Sequence, residues 1–292
     1  MSSWLKHVDV HRAHEKRPKH RKIIHPLFRP RSANGLGLHI SSAMKDVLHI
    51  SCLGVALHAN GNTLFYLVFS DFFGSVAEKN MAVVWKLIQE EYRKQSVSNQ
   101  FHCIEISSSC SALSPMSDYP IMSGKGAENR CLVPVLLEIV RNHMREDIQE
   151  DRIIFKMLKC LTAFYDILNE GSDDGNYPFV LPKAVHARLT KAVDEFLLFY
   201  SLLSQLAVDS SPPRLAWKKV SKHHMMVHLA SEAAQLNPRL SWCYANEDYV
   251  GRVSRIAHAC RHGTPPALRS EAVSQRVVTG FVLRLVHEQR WQ

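Results

Sequence analysis

The chain reads as a mainly α protein on three observations. Apolar residues recur at three- and four-residue spacing over 77–94, across most of 132–206 and again over 267–288. Helix-breaking residues gather mainly between those stretches, as in GSDDGNYPFVLP at 171–182. With 292 residues, 46% of them hydrophobic, there is enough apolar material for one large core or two modest ones.

Taken in order, residues 1–39 mix Arg, Lys and His with Pro18, Pro26, Pro30, Gly35 and Gly37, and form an irregular arm in which no regular element is expected. Residues 40–54 carry a short buried strand-or-turn signal, from Val47, Leu48, Ile50 and Leu53 beside Asp46 and His49. Residues 55–69, rich in Leu, Phe and Val, read as a helix that runs toward Phe72 and Phe73. Over 77–94 the spacing predicts an amphipathic helix capped by Asn80. Val83, Val84, Leu87, Ile88 and Tyr92 face inward, and Lys86, Gln89, Glu90 and Arg93 face water. Residues 101–106 alternate apolar and polar side chains and predict a strand.

Beyond a Ser-rich loop, three helices are expected at 132–144, 151–169 and 183–206. A break at Asp209–Pro213 leads into 217–260, where two helical runs flank Asn237-Pro238. The first opens with His223, His224, Met225, Met226, His228 and Leu229, and the second carries Val250, Val253, Ile256 and Ala257. A last helix over 267–288 would bury Val273, Val277, Val278, Phe281, Leu285 and Val286.

The net charge of +9 is concentrated at the front: before Asp46 there are ten Lys or Arg residues against two acids. Arg12, Lys16, Arg17, Lys19, Arg21, Lys22, Arg29 and Arg31 therefore form a basic arm ahead of a nearly neutral body. Such an arm suits a polyanion, DNA first, because counterion release supplies affinity without sequence reading. The alternative is a tail that serves solubility alone. Seven scattered cysteines, an odd number, read as reduced thiols and not as a disulfide framework. The opening MSSWLKHVDV has no signal-peptide apolar region, and no apolar run is read as bilayer-spanning. The expectation is a nuclear or cytoplasmic protein, not secreted and without a membrane partner; a homo-oligomer is left open.

Residues 217–260 concentrate site-like side chains. His224 and His228 share a helix face, yet no Glu follows the first His as a zinc-protease motif requires. Cys243, His258, Cys260 and His262 are soft ligands without zinc-finger spacing, so zinc is not expected. Gly124-Lys125-Gly126 lacks the spacing of a phosphate loop, and no Gly-x-Ser-x-Gly elbow occurs.

Three motifs occur in a fixed order. They are Asp46-Val47-Leu48-His49 followed by Leu53-Gly54-Val55; Gly124-Lys125-Gly126-Ala127-Glu128-Asn129-Arg130 before an apolar helix; and KHHMMVHL, a break, then NPRLSWCYANEDYVGRV over 222–253. Together, over about residues 46–260, they resemble the C-terminal two-thirds of eukaryotic cut-and-paste transposases of the CACTA type and their relatives. The resemblance implies a partial RNase H-like α/β core with a helical insertion domain. Residues 40–122 would be a core segment, 123–210 the insertion, and 211–292 the helices that complete the core. It implies that Asp46 and Glu247 are the second and third catalytic carboxylates of a DDE-type site, with Asp248 a poorer choice and His49 orienting Asp46. Those carboxylates would hold Mg2+, one ion activating the attacking oxygen and another stabilising the leaving one.

The first carboxylate has no good counterpart, since Asp9 is the sole acid with apolar neighbours ahead of Asp46. The function implied is a mobile-element protein that associates with DNA without full strand-transfer activity. Read without the resemblance, Asp46 is a helix N-cap or a surface carboxylate, and Glu247 and Asp248 are acids that complement a helix dipole. The chain is then a helical scaffold with no nucleic-acid role.

Overall fold

A computed structural model of the chain describes residues 45–104, 119–170, 178–260 and 265–289, without the side chains of 245–249 and 281–289. Among the described residues there are eight helices and no strand. They are α1 (Leu48–Phe69), α2 (Ala77–Lys94), α3 (Gly126–His143), α4 (Gln149–Asn169), α5 (Lys183–Asp209), α6 (Ser221–Glu232), α7 (Tyr244–Ala259) and α8 (Arg269–Gln289). The first opens as a π-helix over Leu48–Val55 and continues as an α-helix over Ala56–Phe69.

The core follows from helical periodicity. On α4, Ile153, Ile154, Met157, Leu158, Leu161, Phe164 and Leu168 are buried, and on α5 so are Leu189, Val193, Phe196, Leu197, Tyr200 and Leu203. Both runs step by three or four residues, so each makes one continuous apolar face. These two helices form the most extensive pairing. Glu150 and Asp151 occupy the first turn of α4, where the helix dipole favours negative charge. Against this pair packs α3, which also contacts α1 and α2.

Polar side chains of α1 tie separate backbone segments together. Asn60 donates to the Asn129 carbonyl at 2.8 Å, and Asn62 donates to the Pro120 carbonyl at 3.0 Å. The other side of the Asn62 amide accepts from the Trp217 N–H at 2.5 Å. Between them, Gly61 has no side chain because a Cβ there would stand 2.6 Å from the Ile121 Cα. Asn-Gly taken by itself is a turn dipeptide, although the apolar run 55–69 around it reads as a helix. Burial and hydrogen bonding to distant carbonyls hold it helical instead.

Several sequence expectations are corrected. Residues 48–54 are helical, where a strand or turn was expected. Phe101–Ile104 is irregular, its first N–H lying 3.4 Å from the Tyr92 hydroxyl, and 105–106 lie outside the described residues. Residues 40–122, expected to supply an RNase H-like sheet segment, show α1 and α2 and no strand among those described. Asn80 does not cap α2. It is buried and donates to the carbonyls of Val68 at 2.8 Å and Gly74 at 2.7 Å. Val83 and Val278 face outward, at 42% and 57% exposed. By length and composition α1 is apolar enough to cross a membrane, but 72% of that window is buried inside this fold, where it serves as core.

One ionic group is fully enclosed. Asp151 accepts from the Arg145 backbone N–H at 2.9 Å, from Arg145 Nε and Nη2 at 3.0 Å each, and from the Tyr66 hydroxyl. Burial pushes the Asp151 carboxyl up, but these donors outweigh it and hold the group below its ordinary value. Removing the acid strands a guanidinium that is one-third exposed. Asp151→Ala is therefore expected to lower stability by about 3 kcal/mol, the lower end for breaking a buried pair. Urea denaturation checks this, and an unchanged midpoint would contradict the assignment.

His223 lies under the core's aromatic side, 4% exposed, its ring 4.2 Å from that of Tyr200 and 6.2 Å from that of His58. Burial, reinforced by His58, pushes His223 down to about 4; burial and then Lys218 push His58 down as well. The His223 ring stays neutral in the fold down to about pH 4, whereas in the unfolded chain it takes up a proton near pH 6.5. Stability is thus full above about pH 6.5 and falls as pH drops from there toward 4. His223 alone accounts for a loss on the order of 3 kcal/mol. Denaturation midpoints across that window should decline in the wild type and decline less in His223→Phe.

Candidate functional site

The site forms where the start of α1 meets the start of α7. Asp46 caps α1: Oδ1 accepts from the Leu48 N–H at 3.1 Å, Oδ2 from the His49 N–H at 3.0 Å, and its carbonyl from the Ile50 N–H at 3.1 Å. His49, in the first turn, holds Nδ1 at 2.5 Å from Asp46 Oδ2.

The other half arrives from the far end of the chain. Asn237 accepts from the Arg239 N–H at 3.0 Å and so starts the 3-10 turn Pro238–Ser241, which delivers Cys243 to the head of α7. The Cys243 N–H donates to Asp46 Oδ1 at 3.1 Å, and its thiol to Oδ2 at 2.9 Å. Cys243 Sγ lies 3.6 Å from His49 Nδ1. Two more contacts fasten the same junction: Ser241 Oγ donates to the Lys45 carbonyl at 3.1 Å, and Lys45 pairs with Glu232 at 2.8 Å. Asp46 and Cys243 are half-buried and His49 is exposed. Burial pushes the Asp46 carboxyl up, but hydrogen bonds from Cys243 and His49 prevail and hold it below its ordinary value.

A basic and aromatic cluster adjoins the junction. The Arg239 guanidinium sits 4.1 Å from the Trp242 ring centre and that of Arg130, from α3, 5.0 Å away. The rings of Trp242 and Tyr244 are 5.2 Å apart. Cys52 is enclosed near Tyr244, and burial pushes its thiol up to about 11, which makes it an inert core thiol.

Asp46 and His49 are thus together, as the sequence led us to expect, and the N-cap reading of Asp46 holds as well. The Glu247 backbone belongs to α7, where helical rise puts it about 6 Å along the axis from Cys243. The side chains of Glu247 and Asp248 lie outside the described residues, as do Arg12, Lys16, Arg17, Lys19, Arg21, Lys22, Arg29, Arg31, Asp9 and His262. His224 and His228 share a face of α6, with Nε2 atoms 2.9 Å apart. Cys243 does not join His258 or Cys260, because α7 holds them at its other end, roughly 22 Å or more away by helical rise. Its true neighbours come from the opposite end of the sequence. No local spacing could have revealed them.

Replacing Asp46 removes a cap and the link to α7 together. Asp46→Ala is expected to lower stability by about 1–2 kcal/mol and to speed alkylation of Cys243, followed by site-resolved mass spectrometry. Unchanged labelling of Cys243 would show that the carboxylate does not hold the thiol.

No protein family, curated protein or solved structure matches this chain.

Proposed function

We propose that the chain is a transposase-like, mobile-element protein that associates with DNA and does not perform strand transfer by itself. The observation that carries the proposal is the bonding of Asp46 to Cys243 across 197 residues. It joins the Asp-x-x-His motif to the head of the helix whose backbone carries Glu247, and so supports the reading in which Asp46 and Glu247 belong to one site.

Two further features support DNA as the partner. The arm before Asp46 carries ten basic residues against two acids, enough for a counterion-release footprint. Near Asp46, the guanidinium groups of Arg130 and Arg239 lie 5.0 and 4.1 Å from the Trp242 ring centre, a combination of aromatic surface and positive charge that suits nucleic acid.

Strand transfer through magnesium would need three carboxylates around two ions. The resemblance offers two, Asp46 and Glu247, and Oδ1 of Asp46 already accepts from the N–H groups of Leu48 and Cys243. Association with DNA, without cutting, is the activity we assign, in a protein of the nucleus or cytoplasm.

Electrophoretic titration of the full chain with duplex DNA tests this. The expected outcome is a complex that weakens steeply with salt, is lost on deletion of residues 1–44, and shows no Mg2+-dependent nicking of supercoiled plasmid. Absence of binding at low salt would leave a helical scaffold as the function.

A further inference from the structure

We infer that Asp46, His49 and Cys243 form a binding site for a divalent transition-metal ion of the zinc type. The inference goes beyond DNA association and does not depend on it. One ligand atom from each residue, Oδ2, Nδ1 and Sγ, lies within 4.8 Å of the other two. The separations are 2.5 Å between oxygen and nitrogen, 2.9 Å between sulfur and oxygen, and 3.6 Å between sulfur and nitrogen. Around a tetrahedral zinc ion, bond lengths of about 2.0–2.3 Å give edges of roughly 3.3–3.7 Å. The sulfur–nitrogen edge is already of that length. The two edges at Oδ2 are those held short by hydrogen bonds, and a metal ion would replace the protons there.

The donor set selects the ion. Magnesium requires near-octahedral oxygen ligation and keeps its water, whereas a thiolate, an imidazole and a carboxylate together suit zinc, cobalt or nickel. Binding releases the thiol proton of Cys243 to solvent, and the neutral His49 ring binds through Nδ1 with its proton carried on Nε2, so that thiolate and carboxylate balance the charge of a divalent ion.

The two oxygens of Asp46 divide the work. Oδ1 is anchored by the N–H groups of Leu48 and Cys243 at 3.1 Å each, the backbone support that orients a metal-binding carboxylate. Oδ2 faces the thiol and the imidazole. The three residues supply three of the four ligands of a tetrahedral ion, and the 46% exposed His49 side chain puts the site at the surface.

Titration of the full chain with Co2+ as the spectroscopic probe tests the site. We expect one cobalt per chain to give an intense thiolate-to-cobalt charge-transfer band that is lost in Cys243→Ser. His49→Ala should weaken binding by more than about tenfold, the loss seen when even a supporting residue is removed from a metal site. The double variant His224→Ala/His228→Ala should keep the band, which separates this site from the histidine pair on α6. Far-UV circular dichroism confirms that each variant is folded. No band in the folded wild type, or a band that survives in Cys243→Ser, overturns the inference. Neither outcome bears on whether the arm binds DNA.

Discussion

The amide of Asn62 is the interaction on which the arrangement of α1 rests. It is 1% exposed and sits in the middle of a core helix, yet it meets the Pro120 carbonyl and the Trp217 N–H at once. A buried amide left unpaired is unfavourable by about 1–3 kcal/mol. Both loops must therefore approach the helix in one register for α1 to be buried at all. Gly61 permits the approach by keeping the surface bare beneath Ile121. Trp217, whose φ is +57°, is held in the left-handed region by that same contact, with its ring packed edge-on against Tyr200 at 5.6 Å. Shape and polarity act together, and the helix can seat in only one way.

With α1 fixed in this manner, its first turn becomes a rigid platform. Asp46 is fastened from its own helix by two N–H groups and from α7 by a third. A carboxylate so oriented holds neighbouring side chains at set distances without help from a sheet. That is how a helical protein gathers acid, imidazole and thiol at one point. The π-helical winding of Leu48–Val55 lies next to this point, in keeping with the frequency of such windings at functional sites. The aromatic and guanidinium cluster around Trp242 completes one side of the junction.

The helices over 77–94, 132–144, 151–169 and 183–206 were legible because each has one apolar stripe with a polar remainder, and tertiary packing only confirmed what periodicity stated. Residues 48–54 were not, since a short run buried on every side has no polar face to display a period. Asn80 misled for a related reason: Asn favours caps by hydrogen-bonding nearby backbone, and here it bonds to the carbonyls of Val68 and Gly74 from inside the helix. Of the site, the Asp46–His49 half was visible as a motif because its parts are three residues apart. Cys243 was visible only as a thiol. Its partnership with Asp46 is created by folding, and the soft ligands adjacent in sequence drew attention to the wrong end of α7.

The contact between Asp46 and Cys243 also orders events in time. At a translation rate of about 5–20 residues per second, the 197 residues between them take roughly 10–40 seconds to emerge from a ribosome. The leading edge of α1 must wait that long, its capping acid facing solvent, while the pairing of α4 with α5 can condense as soon as those two neighbours are synthesised. The chemically richest corner of the protein is assembled only after the helical pair at its centre.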